Sequence, residues 1–368
     1  MEDTAKKRIV WITADHFLDV DMGIVPRLQS HFDIYWFVIM GKNTDRELPS
    51  TANPYEVIQL EHRNRNIAIC GTFYKLIRKI KKIDPSVIYL DYMGIPYFPY
   101  MAFNLLDINK IIYLAHNIAP RPAWNKNDRL FIPKILKRVR YVHAISYQYN
   151  DYMKEHYPHI RFFNIPMSTK SFGNPNESIT NTGKRKFLFF GHVAVNKRLD
   201  KLIEAFKALP KEDREKSELI VYGKCPNPQK YEEMIMNEEG IRLIFGFVSD
   251  KDIANIFSNA SFLVLPYDDV SQSGPSMIAY NYYLPLIATD LEGFKEIVKD
   301  KENGFLYKCN DVGSLRDTLH ECINLSEEEY ENVKKSLKET VDSNFTIDAL
   351  ILKYCGMFKS VIDAERDN

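Results

Sequence analysis
The sequence predicts an α/β protein made of two doubly wound, Rossmann-like parallel-sheet domains. Apolar runs of strand length alternate with amphipathic stretches of helix length along the whole chain, the pattern of βαβ units and therefore of parallel sheets. The alternation breaks once, in the segment 168–186, which is rich in Ser, Thr, Asn, Gly and Pro, and then begins again. A length of 368 residues suits two domains of ordinary size. The predicted division is a first domain over 1–167, a linker over 168–186 and a second domain over 187–346.

In the first domain Ile9 to Ala14, Ile34 to Met40, Glu56 to Leu60, Val87 to Asp91, Lys110 to Ala115, Tyr141 to Ile145 and Phe162 to Pro166 read as strands, being short apolar runs. Between them, helices are expected near Met22 to Ser30, Ile67 to Ile83, Ile95 to Leu106, Pro133 to Arg138 and Tyr147 to His156. The second domain repeats the alternation with strands at Phe187 to Phe190, Glu218 to Tyr222, Arg242 to Phe245, Phe262 to Leu265, Leu284 to Ala288 and Phe305 to Leu306. Its helices fall near Leu199 to Leu209, Pro228 to Asn237, Asp250 to Ser258, from Pro275, Gly293 to Val298, Val312 to Ile323 and Glu327 to Val341, and a last one covers 347–364.

The 49 basic and 49 acidic residues cancel, which argues against nucleic acid as a partner. The balance is uneven: 23 Lys and Arg stand against 16 Asp and Glu up to Pro166, and 26 against 33 after it, so the first half is basic and the second acidic. Five widely spaced cysteines with no CxxC pair fit neither a disulfide framework nor a structural zinc site. No leader-like or membrane-spanning apolar run is found, and a cytoplasmic protein is expected.

The stretch Ser261 to Leu306 organises the second domain. An apolar strand ends at Pro266, and a loop of small and polar residues, Asp268 to Gly274, leads into a helix. Amide groups at a helix start lack intrahelical partners and face the positive end of the dipole, which suits a phosphate or diphosphate. A strand closing on Thr289 and Asp290, a short helix after Gly293 and an Asn303-Gly304 turn follow.

This order of motifs resembles the donor-binding half of retaining glycosyltransferases of the GT-B fold, the large family 4 class of glycosyl transferases group 1. The resemblance implies two facing Rossmann-like domains, with the last helix crossing back onto the first. It implies a nucleotide-sugar donor, most simply a UDP- or GDP-sugar, no further cofactor and no metal. The run Phe189 to Arg198 is similar to the family's (F/Y)xGR....K(G) motif. It gives Gly191 and Arg198 to the donor site and places Lys197 on the leaving diphosphate, with His192 in the place of the usual Arg and Arg198 in that of the usual Gly. A cation is needed there because cleaving a sugar–phosphate bond builds negative charge on the departing diphosphate. The family's pair of Glu residues would fall at Val270 and Ile278, neither acidic, so Asp268 or Asp269 stands in for the first and the ribose contact is left unassigned.

The same resemblance assigns Ser271, Gln272, Ser273 and Gly274 to the diphosphate loop, Glu296 to the family's G..E(I/V)V helix, and Gly223, Lys224, Phe247 and Val248 to turns that wrap the nucleobase. In the first domain, His116 ends an apolar strand, where clefts form in α/β sheets, and is similar to a family His that faces the transferred sugar. Arg121, Asp15 and Asp19 are the acceptor-side candidates; the Asp residues equally suit a helix cap. Basic residues mixed with Phe, Tyr, Leu and Ile in 74–82 and 129–140 suit either an anionic membrane surface or the solvated face of a packed helix. The resemblance thus implies transfer of a sugar to a glycan or lipid-linked acceptor in surface polysaccharide synthesis, at the cytoplasmic membrane face. A nucleotide-sugar epimerase of the same architecture and a non-catalytic partner subunit are the alternatives. A nicotinamide dehydrogenase is set aside because no GxGxxG follows the first strand of either half.

Overall fold
A computed structural model describes residues 6–42, 55–62, 66–91, 97–115, 126–176, 183–236, 238–270 and 272–366. Two compact units divide the chain: residues 1–167 with 347–368, and residues 168–346.

The first unit holds a seven-stranded sheet, all parallel, in the order β3-β2-β1-β4-β5-β6-β7. The strands are β1 (Arg8–Ala14), β2 (Asp33–Met40), β3 (Glu56–Gln59), β4 (Val87–Asp91), β5 (Ile111–Ala115), β6 (Tyr141–Ala144) and β7 (Arg161–Asn164). The central strands are buried on both faces, which is why they read as unbroken apolar runs instead of alternating ones. Helices α2 (Ile69–Ile83), α3 (Tyr97–Leu105), α4 (Lys126–Leu136) and α5 (Asn150–His156) cover one face. On the other face α1 (Leu18–Leu28) lies beside the chain's last helix, α14 (Ile347–Arg366), whose Leu350, Tyr354 and Phe358 pack on Trp11 and Tyr89.

The second unit holds a six-stranded parallel sheet in the order β10-β9-β8-β11-β12-β13. Its elements run β8 (Arg185–Phe190), α6 (Leu199–Lys207), α7 (Lys211–Glu215), β9 (Ser217–Gly223), α8 (Pro228–Met234), β10 (Ile241–Phe245), α9 (Asp250–Ser258), β11 (Phe262–Leu265), α10 (Gly274–Asn281), β12 (Leu286–Thr289), α11 (Glu292–Lys295), β13 (Gly304–Tyr307), α12 (Val312–Ile323) and α13 (Glu327–Asn344). In both sheets the order reverses beside the first strand, β1 or β8, the switch point at which doubly wound folds open a ligand crevice.

Two expectations are corrected. Helix α4 begins at Lys126, not Pro133: the proline lies inside the helix. Helix α7, KEDRE, was not expected, because five charged residues show no apolar period; it forms since Asp213 turns inward, its carboxylate accepting from the Asn324 side chain and its carbonyl from the Lys216 amide that ends the turn.

Candidate functional site
The strands β8, β9 and β10 each leave the sheet through a glycine of positive φ, at 115° for Gly191, 146° for Gly223 and 145° for Gly246. Gly191 donates its amide to Tyr222 O at 2.9 Å, and Gly246 donates to Gly223 O at 3.0 Å, so the three exits are laced together. A Cβ on Gly223 would sit 1.9 Å from Gly191 O, a position that only glycine can fill. The rim over the switch point is therefore nearly bare backbone.

Beyond Gly191 the chain makes a single turn of 3₁₀ helix, Val195–Lys197, which folds Lys197 back over the glycine. A Cβ on Gly191 would meet Lys197 Nζ at 3.4 Å and Pro275 Cγ, in the first turn of α10, at 3.7 Å. The ammonium thus stands at the mouth of α10, 5.2 Å from the centre of the Tyr267 ring. Burial draws its pKa below the ordinary lysine value, and among the described residues no carboxylate pairs with it. A half-buried cation held on an aromatic face, with no anion beside it, is prepared for an anionic ligand.

Ser273 is the N-cap of α10; its side chain and carbonyl both accept from the Ser276 amide, and Pro275 has no amide to offer. The Gly274 amide is left at the open end of the helix, where the dipole adds positive potential. Under this helix start Ser276 Oγ is buried without a hydrogen-bond partner among the described residues, and the buried Tyr267 hydroxyl lies beside Ser273.

Arg198 differs from its neighbour. Its backbone is left-handed at φ 46°, and its guanidinium is engaged by Asp200 at 3.2 and 3.3 Å, by Asp268 Oδ2 at 3.4 Å and by Asn310 Oδ1 at 3.1 Å. Burial would raise the Asp200 pKa, but hydrogen bonds and charge from Arg198 hold it below the usual carboxylate range.

Of the other candidates, His192, Lys224 and Asp269 are exposed; Lys224 O accepts the Val193 amide at 2.9 Å, and Asp269 O accepts from the Asn196 side chain. Gln272 is half-buried, and Glu296 caps the end of α11. Val270 and Ile278 lie in the core, as apolar residues at those positions should. Phe247, 93% exposed, and Val248 line a 510 Å³ groove with Tyr222, Ile244 and Asn255, on the sheet face by α9, apart from Lys197. His116, Arg121 and Ser271 lie outside the described residues. Asp15 accepts the Gly41 amide at 3.3 Å, fastening the β1 exit to the end of β2; Asp19 lies in the first turn of α1, its side chain outside the description. Tyr267 and Asp200 were not anticipated, although Pro266-Tyr267 directly after an apolar strand was a usable cue for the former.

Among the described residues no group of three or more His, Cys, Asp or Glu side chains is placed to hold a metal ion, and no helix is long and apolar enough to cross a membrane.

Comparison with known proteins shows what this chain is similar to. Residues 170–340 match the family described as glycosyl transferases group 1. An uncharacterized glycosyltransferase of Methanocaldococcus jannaschii is 25% identical over 252 residues, a match covering 64% of this chain and 62% of that protein's length. The crystal structure of a Rickettsia africae glycosyltransferase superposes with a TM-score of 0.76 over 97% of this chain and 99% of that one, at 16% identity. An Anabaena protein, HepE, crystallised with UDP and glucose, superposes with a TM-score of 0.71 over 96% of this chain and all of its own, at 12% identity. Residues 170–340 thus resemble the glycosyl transferases group 1 family, and the whole chain has the GT-B fold.

Proposed function
We propose that this chain is a retaining, metal-independent glycosyltransferase of the family 4 type, using a nucleotide sugar, most simply a UDP- or GDP-sugar. The observation that carries the reading is Lys197, a half-buried ammonium that has no carboxylate partner among the described residues, poised at the start of α10. The donor diphosphate lies against Lys197 and the Gly274 amide. As the bond from the sugar C1 to the phosphate oxygen breaks, its electron pair stays on the diphosphate, where the lysine and the helix dipole stabilise it. The acceptor hydroxyl attacks C1 on the face being vacated, and its proton passes to the departing phosphate oxygen. No separate protein base is required; His116 remains the candidate that faces the transferred sugar, and Asp15, Asp19 and Arg121 remain the acceptor-side candidates. The UDP and glucose held by HepE support a nucleotide-sugar donor.

A glycan or lipid-linked acceptor, and a role in surface polysaccharide synthesis at the cytoplasmic membrane face, complete the reading. Its support lies in the first unit. Helices α2, α3 and α4 pack side by side in one layer. The outer surface of that layer carries Lys75, Arg78, Lys82, Arg129 and Lys134 around exposed Tyr74, Tyr100 and Leu130, and neither α2 nor α3 contains an acidic residue. Cations near an anionic bilayer contribute about 1 kcal/mol each. Cosedimentation with phosphatidylglycerol vesicles, absent with phosphatidylcholine, is the expected result; equal behaviour with both lipids would count against membrane contact.

The donor assignment is tested by thermal melting with UDP, GDP and their sugars, since a ligand of the native state raises the melting temperature. One of them should raise it, and Lys197→Ala should remove the increase. A melting shift that survives Lys197→Ala would sink the assignment. A non-catalytic nucleotide-sugar binder is the second reading, favoured by the apolar Val270 and Ile278 and the exposed His192; it predicts the same melting shift with no sugar transfer to any acceptor.

A further inference from the structure
Arg198 occupies a backbone conformation that glycine adopts freely and that an arginine adopts only against steric resistance. Its neighbours explain what keeps it there. The guanidinium fork engages both oxygens of Asp200, two residues on, which fixes the side chain at the start of α6. Nη1 is then left pointing outward and reaches two other loops at once: Asp268, which follows β11 in the loop leading to α10, and Asn310, which follows β13. Asn310 is itself left-handed, at φ 61°. Beside this clasp a backbone bond from the Asp268 amide to Asn196 O, 3.0 Å, joins the same two segments. The side chains of Arg198, Asp200 and Asp268 are only 22%, 24% and 28% exposed, so the contacts are partly shielded from water.

We propose that Arg198 is a positioning residue: by clasping Asp268 and Asn310 it sets the loop between β11 and α10 at a fixed height against the turn that carries Lys197, and so prepares the diphosphate site. The proposal rests on the donor reading above. Lys197 sits next to Arg198 in the chain and over Tyr267, the residue before Asp268, so both ends of the ammonium's setting are fastened by the one guanidinium. The arginine also places a positive charge against two carboxylates, Asp200 and Asp268, that stand beside the anion site. Four of its five N–H groups are engaged by these partners.

The discriminating variant is Arg198→Gly, which relieves the backbone strain and removes the clasp together with the Asp200 pair. Two readouts are taken. Amide exchange of ligand-free protein should accelerate in 266–270 and 308–311 and stay unchanged in the first unit. The dissociation constant of the best nucleoside diphosphate should rise by about tenfold or more, while Arg198→Lys, which keeps the charge without the fork, recovers part of the loss. In Asp268→Asn the same affinity loss should appear, and the double variant should lose no more than either alone, the mark of two residues acting through one contact. Unchanged exchange in Arg198→Gly, or additive losses in the double variant, would overturn the proposal. If parental protein binds neither UDP, GDP nor inorganic pyrophosphate, the donor reading falls instead, and the exchange data still decide whether Arg198 holds the two loops.

Discussion

Lys197 and Asp21 occupy corresponding places in two sheets of the same design, each just beyond the central first strand, and they resolve the same physical problem in opposite ways. Asp21 is only 3% exposed; Trp11 Nε1 donates to its Oδ2 at 2.9 Å, Thr13 Oγ1 donates to the same oxygen, and Trp36 Nε1 in turn donates to Thr13 Oγ1 at 3.0 Å. Burial, and then the nearby Asp91 charge, push its pKa well above the usual carboxylate range. For an ionisable group that no ligand can reach, burial disfavours the charged form. Lys197 is reachable, so it keeps a place for an anion. Burial alone does not mark a functional residue; burial with access and without a counterion does.

The comparison is broken most severely by Gly223→Ala. A methyl group at 1.9 Å from Gly191 O, on a residue with φ 146°, forces β8 and β9 apart where their exits shape the rim. The expected loss is roughly 3 kcal/mol or more of second-unit stability, seen in chemical denaturation, with nucleotide binding lost too. Denaturation matching the parent would refute the close approach. Lys197→Met is milder for the fold and decisive for function. Nucleoside diphosphate affinity should fall by about a hundredfold through loss of a charge-assisted contact, while the ligand-free melting temperature stays level or rises because a desolvated ammonium is gone. A fall in melting temperature with affinity intact would make Lys197 a structural residue, like Asp21.

The sheets were legible because each strand is a contiguous apolar run, and runs such as Phe262–Leu265 need no distant information. Gly191, Lys197 and Arg198 were legible as a local motif within eight residues of chain. The use of Arg198 was not: its partners Asp268 and Asn310 lie 70 and 112 positions away, so the clasp exists only once three loops have been brought together. The burial of Asp21 was not legible in the sequence, because only the packing of α1 against β1 turns it inward. Helix α7 escaped for the same reason, its one inward residue, Asp213, being charged.

The smallest and most pH-dependent effect comes from Asp21→Asn. An asparagine mimics the neutral acid and can accept the same bonds from Trp11 and Thr13 through its amide oxygen. A carboxyl whose folded pKa is raised stabilises the fold fully below its unfolded value near 3.9, and that contribution is lost as the pH climbs to the raised folded value. Between those two values the parent gives up about 1.4 kcal/mol per pH unit relative to a variant that cannot ionise. First-unit stability should therefore coincide in parent and Asp21→Asn at about pH 4, close to the unfolded value, and the variant should gain steadily as the pH rises, then level off once the parent's carboxyl is ionised. Parallel stability curves over that range would show that Asp21 stays charged in the fold, and the contrast with Lys197 would then have to rest on access alone.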